Sequence, residues 1–205
     1  MPVDPRMSGP ELMLQVDGIR VCRGDRVLID GLGFRLHAGE LLHLTGANGS
    51  GKSSLLEAVA GLRPAEGAPD RDSLPGLHWV GHRLGLSSQL SLQENLLEAA
   101  AMLGAADEDR VTEALRRFGL ARRRHRRLRE VSAGQARRTA LARLLLCHRP
   151  LWLLDEPYAS LDADGARLLD AVIHEHLQAG GAVLLSSHQA LDPSPGAVRT
   201  LALTS

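Results

Sequence analysis

The chain has 205 residues, of which 44% are apolar, enough for one domain with a substantial buried core, and this argues against disorder. Its 24 basic and 24 acidic side chains leave no formal net charge, so the total charge does not favour nucleic acid or an anionic surface as a partner. Cys22 and Cys147 lie far apart without metal-ligand spacing, which is typical of a reducing compartment rather than a disulfide scaffold.

Residues 1–13 carry acids and prolines and lack the basic patch and apolar core of a signal peptide, so we expect a cytosolic protein. No uninterrupted apolar run approaches the roughly 20 residues that a membrane-spanning helix requires. If the protein acts at a membrane, we therefore expect partner subunits to provide the spanning segments.

Alternating and clustered apolar positions over 12–36 predict short strands at a sheet edge, and helical spacing of apolar residues appears further along. The later strands are predicted over 41–45, 77–81, 150–157 and 181–188. The helices are predicted over 53–62, 91–104, 107–120, 132–147 and 163–180. Strands alternating with helices indicate an α/β fold with a mostly parallel sheet.

The stretch 46–54, GANGSGKSS, matches the phosphate-loop pattern G-x-x-x-x-G-K-[ST] between a predicted strand and a predicted helix. Glycines let backbone N–H groups converge on phosphate oxygens, and the positive end of the following helix adds to their field. Lys52 is expected to reach the β and γ phosphates of ATP, and Ser53 to coordinate Mg²⁺. The predicted nucleotide-binding residues of this loop are Gly46, Ala47, Asn48, Gly49, Ser50, Gly51, Lys52, Ser53 and Ser54.

Lys52 is the only lysine of the chain, and every other basic residue is an arginine. A planar guanidinium is too broad for a tight nest of backbone N–H groups, whereas a compact ammonium sits against phosphate as a point charge. We therefore expect that arginine cannot replace Lys52.

Asp155 and Glu156 follow an apolar strand, which places their carboxylates at the same sheet edge as the phosphate loop. Asp155 is expected to hold Mg²⁺, and Glu156 to polarise the water that attacks the γ phosphate. The alternative is an acidic pair that only solvates a turn. The nearby phosphate loop favours the catalytic interpretation.

Ser132, Ala133, Gly134 and Gln135, at the start of a predicted helix, resemble the L-S-G-G-Q signature of the ATP-binding-cassette (ABC) ATPases. The resemblance implies a P-loop NTPase fold of the ABC type, with a RecA-like core, a small antiparallel β part and a helical subdomain. The implied bounds are an N-terminal tail over 1–11, an ATPase domain over 12–205 and the helical subdomain over about 88–148.

In this family the signature acts on the nucleotide held by the opposite subunit, so the resemblance implies a head-to-tail dimer with ATP between two copies. Ser132, Gly134 and Gln135 are then nucleotide-binding residues of the partner's site. Asp162, in ASLD, resembles the D-loop at the dimer seam, and His188 resembles the switch histidine that contacts the γ phosphate.

Two positions differ from the family pattern. Arg83 stands where a glutamine of the Q-loop is expected, and a guanidinium can neither ligate Mg²⁺ nor accept a hydrogen bond. Arg83 would then pair with phosphate or face a membrane partner. Arg23 stands near the place of the aromatic residue that stacks on adenine, where it either stacks on the base or is simply solvated.

The whole-chain pattern is similar to the family of ATP-binding subunits of cytochrome c maturation haem exporters, in particular through Ala133 and Gln189. That similarity implies a peripheral ATPase on the cytoplasmic face of the inner (plasma) membrane. Hydrolysis would drive haem handling by integral membrane transporter subunits. The alternatives are a transporter of another cargo, a nucleotide-dependent clamp with little turnover, and a soluble cassette of DNA repair or translation.

The run 122–130, RRRHRRLRE, is the one strong cluster of charge. It is either a solvated connector or a contact for anionic lipid or an acidic partner. Nucleic acid is the less favoured partner, because the run contains no aromatic residues and the chain has only five.

Overall fold

The computed structural model describes residues 10–188 and 197–203, so residues 1–9 of the predicted tail and Gln189 lie outside the described residues. The strands are β1 Leu12–Arg23, β2 Arg26–His37, β3 Glu40–Thr45, β4 Leu77–Val80, β5 Leu151–Asp155, β6 Ala182–Ser186 and β7 Ala197–Ala202. The helices are α1 Lys52–Val59, α2 Leu92–Met102, α3 Glu108–Arg117, α4 Ala133–Ala142 and α5 Ala163–Gln178. Short 3₁₀ turns cover Arg71–Ser73, Ala121–Arg123, Leu128–Glu130 and Arg143–Leu145.

The main sheet has five parallel strands in the order β4-β5-β6-β3-β7. Every residue of β5 and β6 is buried, because both faces of these central strands are covered. Parallel strands end at the same edge of a sheet, which places the last residues of β3, β5 and β6 together. These residues are Thr45, Asp155 and Ser186, and Asp155 pairs in register with Ser186.

Two apolar clusters pack on opposite faces of this sheet. One joins Phe118 and the helices α2 to α5 to Trp152 of β5. The other joins Leu14 of β1 and Leu55 of α1 to Leu153 of β5. Because successive side chains of a strand point to opposite faces, the neighbours Trp152 and Leu153 belong to different clusters. The sheet is therefore held rigidly from both sides.

Strands β1 and β2 pair antiparallel through a turn at Gly24 and Asp25 and form a separate two-stranded sheet. This differs from the prediction for 12–36, which was short strands at a sheet edge. Strands β1 and β2 do not join the main sheet, and each is 12 residues long. The register shifts near Gly18 and Gly31, both with positive φ. Such irregularities bend a strand pair, and here they accompany its packing over α1.

The predicted α/β fold with a mostly parallel sheet is confirmed, and α5 closely matches its predicted range. The helix predicted over 132–147 is shorter, since α4 ends at Ala142 and a 3₁₀ turn follows. Strand β7 was not predicted. None of the helices in the described part of the chain is both long and apolar enough to cross a membrane. The predicted bounds 12–205 and 88–148 stay predictions.

His176 of α5 packs at the sheet edge opposite the phosphate loop. Its ring stacks on that of Trp152, with 3.7 Å between the ring centroids and 7° between the ring planes. Its Nε2 lies 3.2 Å from the carbonyl oxygen of Pro150. Burial lowers the pKa of His176 to about 4, and burial lowers the pKa of His78 likewise. An unfolded histidine has a pKa of about 6.5, so the unfolded chain binds more protons between these two values. Stability contributed by neutral His176 is therefore present above about pH 6.5 and lost as the pH falls toward 4.

We predict that His176→Gln makes the free energy of unfolding less dependent on pH. Between about pH 7.5 and pH 5, the wild type should lose on the order of 1–2 kcal/mol more than the variant, because only the wild type must protonate this ring on unfolding. Urea unfolding at both pH values measures the difference. His125→Gln, the same substitution at an exposed histidine, serves as the control. Equal pH dependence in all three proteins would contradict the prediction.

Candidate functional site

The glycine-rich loop connects β3 to α1, and Lys52 is the first residue of that helix. The Lys52 side chain is buried, and its Nζ donates to the carbonyl oxygens of Gly46 at 2.8 Å and Ala47 at 3.1 Å. Gly51, with φ +101°, is the N-cap residue and provides no side-chain cap. The first-turn N–H groups of α1 are therefore not capped by a side chain, and with the ammonium they make a cationic cradle.

The packing around the loop fits a bound triphosphate. Gly46 has φ +144°, and a Cβ there would lie 2.7 Å from the carbonyl oxygen of Leu203 and 2.8 Å from Ser50 Oγ. Only glycine fits this conformation and this space. Ser50 Oγ is buried and has no hydrogen-bond partner among the described residues. A buried hydroxyl without a partner is costly, and a phosphate oxygen would satisfy it.

Asp155 ends β5 and is only 3% exposed. Its Oδ1 accepts hydrogen bonds from Ser53 Oγ at 2.9 Å and from Ser186 Oγ at 2.7 Å. The hydroxyl and the carboxylate are oxygen donors of the kind that Mg²⁺ prefers, together with phosphate oxygens. Within 10–188 and 197–203, no group of three or more His, Cys, Asp or Glu residues could hold a metal ion. A metal site would therefore rest on Ser53, Asp155 and the nucleotide itself.

Glu156 adopts φ +49°, a conformation that is strained for a residue with a side chain. Its N–H donates to Ser186 Oγ at 3.0 Å, and the backbone N–H of His188 donates to its Oε2 at 3.3 Å. The other carboxylate oxygen, Oε1, lies 3.3 Å from His188 Nε2 but makes no well-aligned hydrogen bond among the described residues. Glu156 thus has a buried acceptor oxygen whose hydrogen bonding is not satisfied among the described residues.

One cleft brings together side chains from four separate parts of the chain. Arg23 at the end of β1, Lys52 and Ser53 of the phosphate loop, Glu156 after β5 and His188 after β6 all line it. The other loop residues that line it are Asn48, Gly49, Gly51 and Ser54. The cleft therefore has a phosphate end at the loop and an arginine in the place where adenine is expected.

Arg83 lies in a neighbouring cleft, which also contains Ser53 and Asp155. The side chain is exposed. Its guanidinium is a cation in the same cleft as the predicted metal pair. This position is compatible with both sequence hypotheses for Arg83, a phosphate contact and a surface toward a membrane partner.

Ser132 is the N-cap residue of α4. Its Oγ accepts from the Gln135 N–H at 3.2 Å, and Gln135 Oε1 accepts from the Ser132 N–H at 3.3 Å, which completes a capping box. A Cβ on Gly134 would lie 2.7 Å from the carbonyl oxygen of Ser160, next to the predicted D-loop. The described lining of the phosphate-loop cleft includes none of the three signature residues Ser132, Gly134 and Gln135.

Arg137 was not predicted to belong to the site. Although it is a charged residue of α4, it is only 4% exposed. Its guanidinium donates to four carbonyl oxygens, those of Gly81 at 2.8 Å, Asp155 at 2.8 Å, Glu156 at 2.7 Å and Pro157 at 3.2 Å. The sequence pattern of α4 does not predict the burial of Arg137 at the site, because the adjacent Arg138 has the same chemistry and is only partly buried.

Comparison with known proteins identifies the family of this chain. The family model of the ABC transporters matches residues 29–159. A solved ABC transporter ATP-binding protein of Pyrococcus furiosus superposes with a TM-score of 0.79 at 22% identity, covering 92% of this chain and 96% of that one. The chain belongs to the ABC transporter family, and it is an ATP-binding ATPase of the ABC type.

Two curated relatives within this family are more similar in sequence. The chain is 45% identical over 191 residues to a protein of Methylococcus capsulatus, covering 87% of this chain and 92% of that one. It is 45% identical over 203 residues to a protein of Cupriavidus necator, covering 93% and 88%. Both relatives are named cytochrome c biogenesis ATP-binding export protein CcmA.

Proposed function

We propose that this chain is the ATP-hydrolysing subunit of a membrane transporter that serves cytochrome c biogenesis, with haem as the cargo. The observation that carries the proposal is the near full-length similarity, at 45% identity, to relatives named as export proteins of that process. The cleft that joins the phosphate loop to Glu156 and His188 supports the ATPase part. No residue of the site indicates the cargo, which rests on the resemblance alone.

ATP would bind with its phosphates in the loop 46–54, where Lys52 and the first-turn N–H groups of α1 neutralise negative charge. Arg23, which lines the same cleft, would stack on the adenine. Ser53 and Asp155 would hold Mg²⁺, which when bound withdraws charge from the phosphates and orients them.

Glu156 would act as the general base of hydrolysis. Its carboxylate accepts a proton from water while the water oxygen attacks the γ phosphorus, and the bond from that phosphorus to the β,γ-bridging oxygen breaks. His188 lies within 3.3 Å of the carboxylate, so it can hold Glu156 in place and contact the γ phosphate. The products are ADP and inorganic phosphate.

Two copies would assemble head to tail with ATP between them, so that Ser132, Gly134 and Gln135 of one copy act on the nucleotide of the other. The chain's own cleft is not lined by these residues in the described part, which supports a role outside it. The N-terminus of α4 packs against Ser160, which brings the signature and the D-loop onto one surface. Such a surface is suited to a shared interface with a second copy.

The partners would be integral membrane transporter subunits, with this chain peripheral on the cytoplasmic face of the inner membrane. The export function in the names of the relatives supports this placement. Nucleic acid is not proposed as a partner, since the 24 basic and 24 acidic side chains balance.

A deletion strain tests the cargo and the process. Loss of the gene should abolish covalently haem-bearing c-type cytochromes on a haem-stained gel, and the wild-type chain should restore them. A chain carrying Glu156→Gln should not, because export would lack its energy source. Normal c-type cytochromes in the deletion strain would contradict the proposed process, and the ATPase activity of the purified chain would be unaffected by that outcome.

A further inference from the structure

Arg137 is an unusual charged residue, because its buried guanidinium binds only backbone carbonyl oxygens in the contacts that the structure describes. Burial lowers the pKa of its side chain, while the nearby Asp155 raises it. Burying an arginine costs free energy unless its donors are satisfied, and four carbonyl dipoles in a fixed fork geometry provide that compensation. A buried charge with this many backbone hydrogen bonds indicates that the geometry of the segments around Arg137 must be accurate.

The four carbonyls belong to two segments at the catalytic edge of the sheet. Gly81 immediately follows β4 and precedes the segment with Arg83, whereas Asp155, Glu156 and Pro157 end β5 and follow it. One guanidinium therefore holds the ends of two neighbouring strands together. The helix that carries it, α4, begins one residue after Ser132.

Glu156 depends on contacts on both sides to keep its strained backbone. On one side, its N–H donates to Ser186 Oγ at 3.0 Å. On the other side, its carbonyl accepts from Arg137 at 2.7 Å. A residue at φ +49° relaxes unless the surrounding structure holds it, and relaxation would swing the carboxylate away from its position.

We propose that Arg137 is a positioning residue for Glu156, and that it ties the signature end of α4 to the general base of the same chain. A movement of α4 when Ser132 meets the partner's nucleotide would reach Glu156 through this one side chain. The inference rests on the proposed role of Glu156 and not on the proposed cargo. Arg137 is not among the residues that line the phosphate-loop cleft, so its loss should change the rate of the chemical step rather than nucleotide affinity.

The test compares purified Arg137→Lys and Arg137→Met with the wild type. Lysine keeps the charge but cannot span two segments with one ammonium, and methionine keeps much of the volume without a donor. We expect kcat to fall by about tenfold or more in Arg137→Lys, and further in Arg137→Met, with KM for ATP within about twofold of the wild type. The control is Arg110→Lys, since Arg110 also donates to a backbone carbonyl, that of Leu146, away from the cleft.

A melting curve and the binding of a fluorescent ATP analogue accompany the kinetics. A wild-type kcat in a folded Arg137→Lys would overturn the inference. A higher KM and weaker analogue binding that accompany a lower melting temperature would overturn it too, because they would indicate a purely structural role. If Arg137→Met does not fold, Arg137→Lys decides alone. Full activity of Glu156→Gln would overturn the proposed general base instead, so the two failures are distinguishable.

Discussion

Glu156→Gln should lower kcat for ATP hydrolysis by about a hundredfold or more, because a carboxamide cannot accept the proton of the attacking water. The substitution is nearly isosteric and keeps an oxygen that can accept from the backbone N–H of His188, so the fold of the cleft should persist. ATP should still bind, since Glu156 lies outside the phosphate loop. The variant should therefore accumulate as an ATP-bound dimer, measured by phosphate release and by size-exclusion chromatography with retained nucleotide.

The control for this experiment is Glu113→Gln. Glu113 is an exposed glutamate of α3 that pairs with Arg116, so its loss should leave hydrolysis unchanged. Two results would contradict the prediction. Retained hydrolysis in Glu156→Gln would place the general base elsewhere, or indicate a clamp whose slow turnover does not need one. Loss of ATP binding together with hydrolysis would give Glu156 a structural role.

The parts of the site that the sequence predicts well are the local ones. The phosphate loop takes its glycines, Lys52 and Ser53 from one stretch of nine residues, 46–54, and a strand and a helix flank it. Chain connectivity alone brings these groups together, so a pattern in sequence is also a pattern in space. The same holds for the adjacent Asp155 and Glu156 at the end of an apolar strand.

Tertiary contacts decide the parts that the sequence does not reveal. Arg137 and Arg138 are neighbours in α4, yet only Arg137 turns into the sheet edge, and this depends on which face of α4 the strands cover. In sequence, Ser186 is only the polar end of a strand. In the structure, its hydroxyl donates to the Asp155 carboxylate and accepts from the Glu156 N–H of the neighbouring segment. Such bridges arise from strand order, which a single sequence specifies only weakly.

The hairpin illustrates the same limit for the fold. The apolar alternation over 12–36 correctly indicates strands, because it reports one buried face. It does not report which strands pair: β1 and β2 form a sheet of their own, with register shifts around Gly18 and Gly31. This separate sheet brings Arg23, at the end of β1, into the lining of the cleft.

Lys52→Arg should weaken ATP binding by about a hundredfold, even though it preserves the charge, because lost charge-assisted hydrogen bonds to phosphate cost roughly 1.5–3 kcal/mol each. The ammonium lies within 3.1 Å of the carbonyls of Gly46 and Ala47, in a loop with so little space that a Cβ on Gly46 would collide with its neighbours. A guanidinium is wider and would displace the loop from the phosphates. Titration with a fluorescent ATP analogue measures the affinity.

Lys52→Ala separates charge from shape, since it removes the ammonium without adding bulk, and it should weaken binding as well. Arg63→Lys serves as the control, because it keeps a cation beside Glu57 on the surface.

The single lysine also allows a chemical test: an amine-reactive reagent can modify only Lys52 and the terminal amine, and bound ATP should slow the modification of Lys52. Wild-type affinity in Lys52→Arg would show that charge alone suffices, whereas wild-type affinity in Lys52→Ala would show that the phosphates bind without this residue.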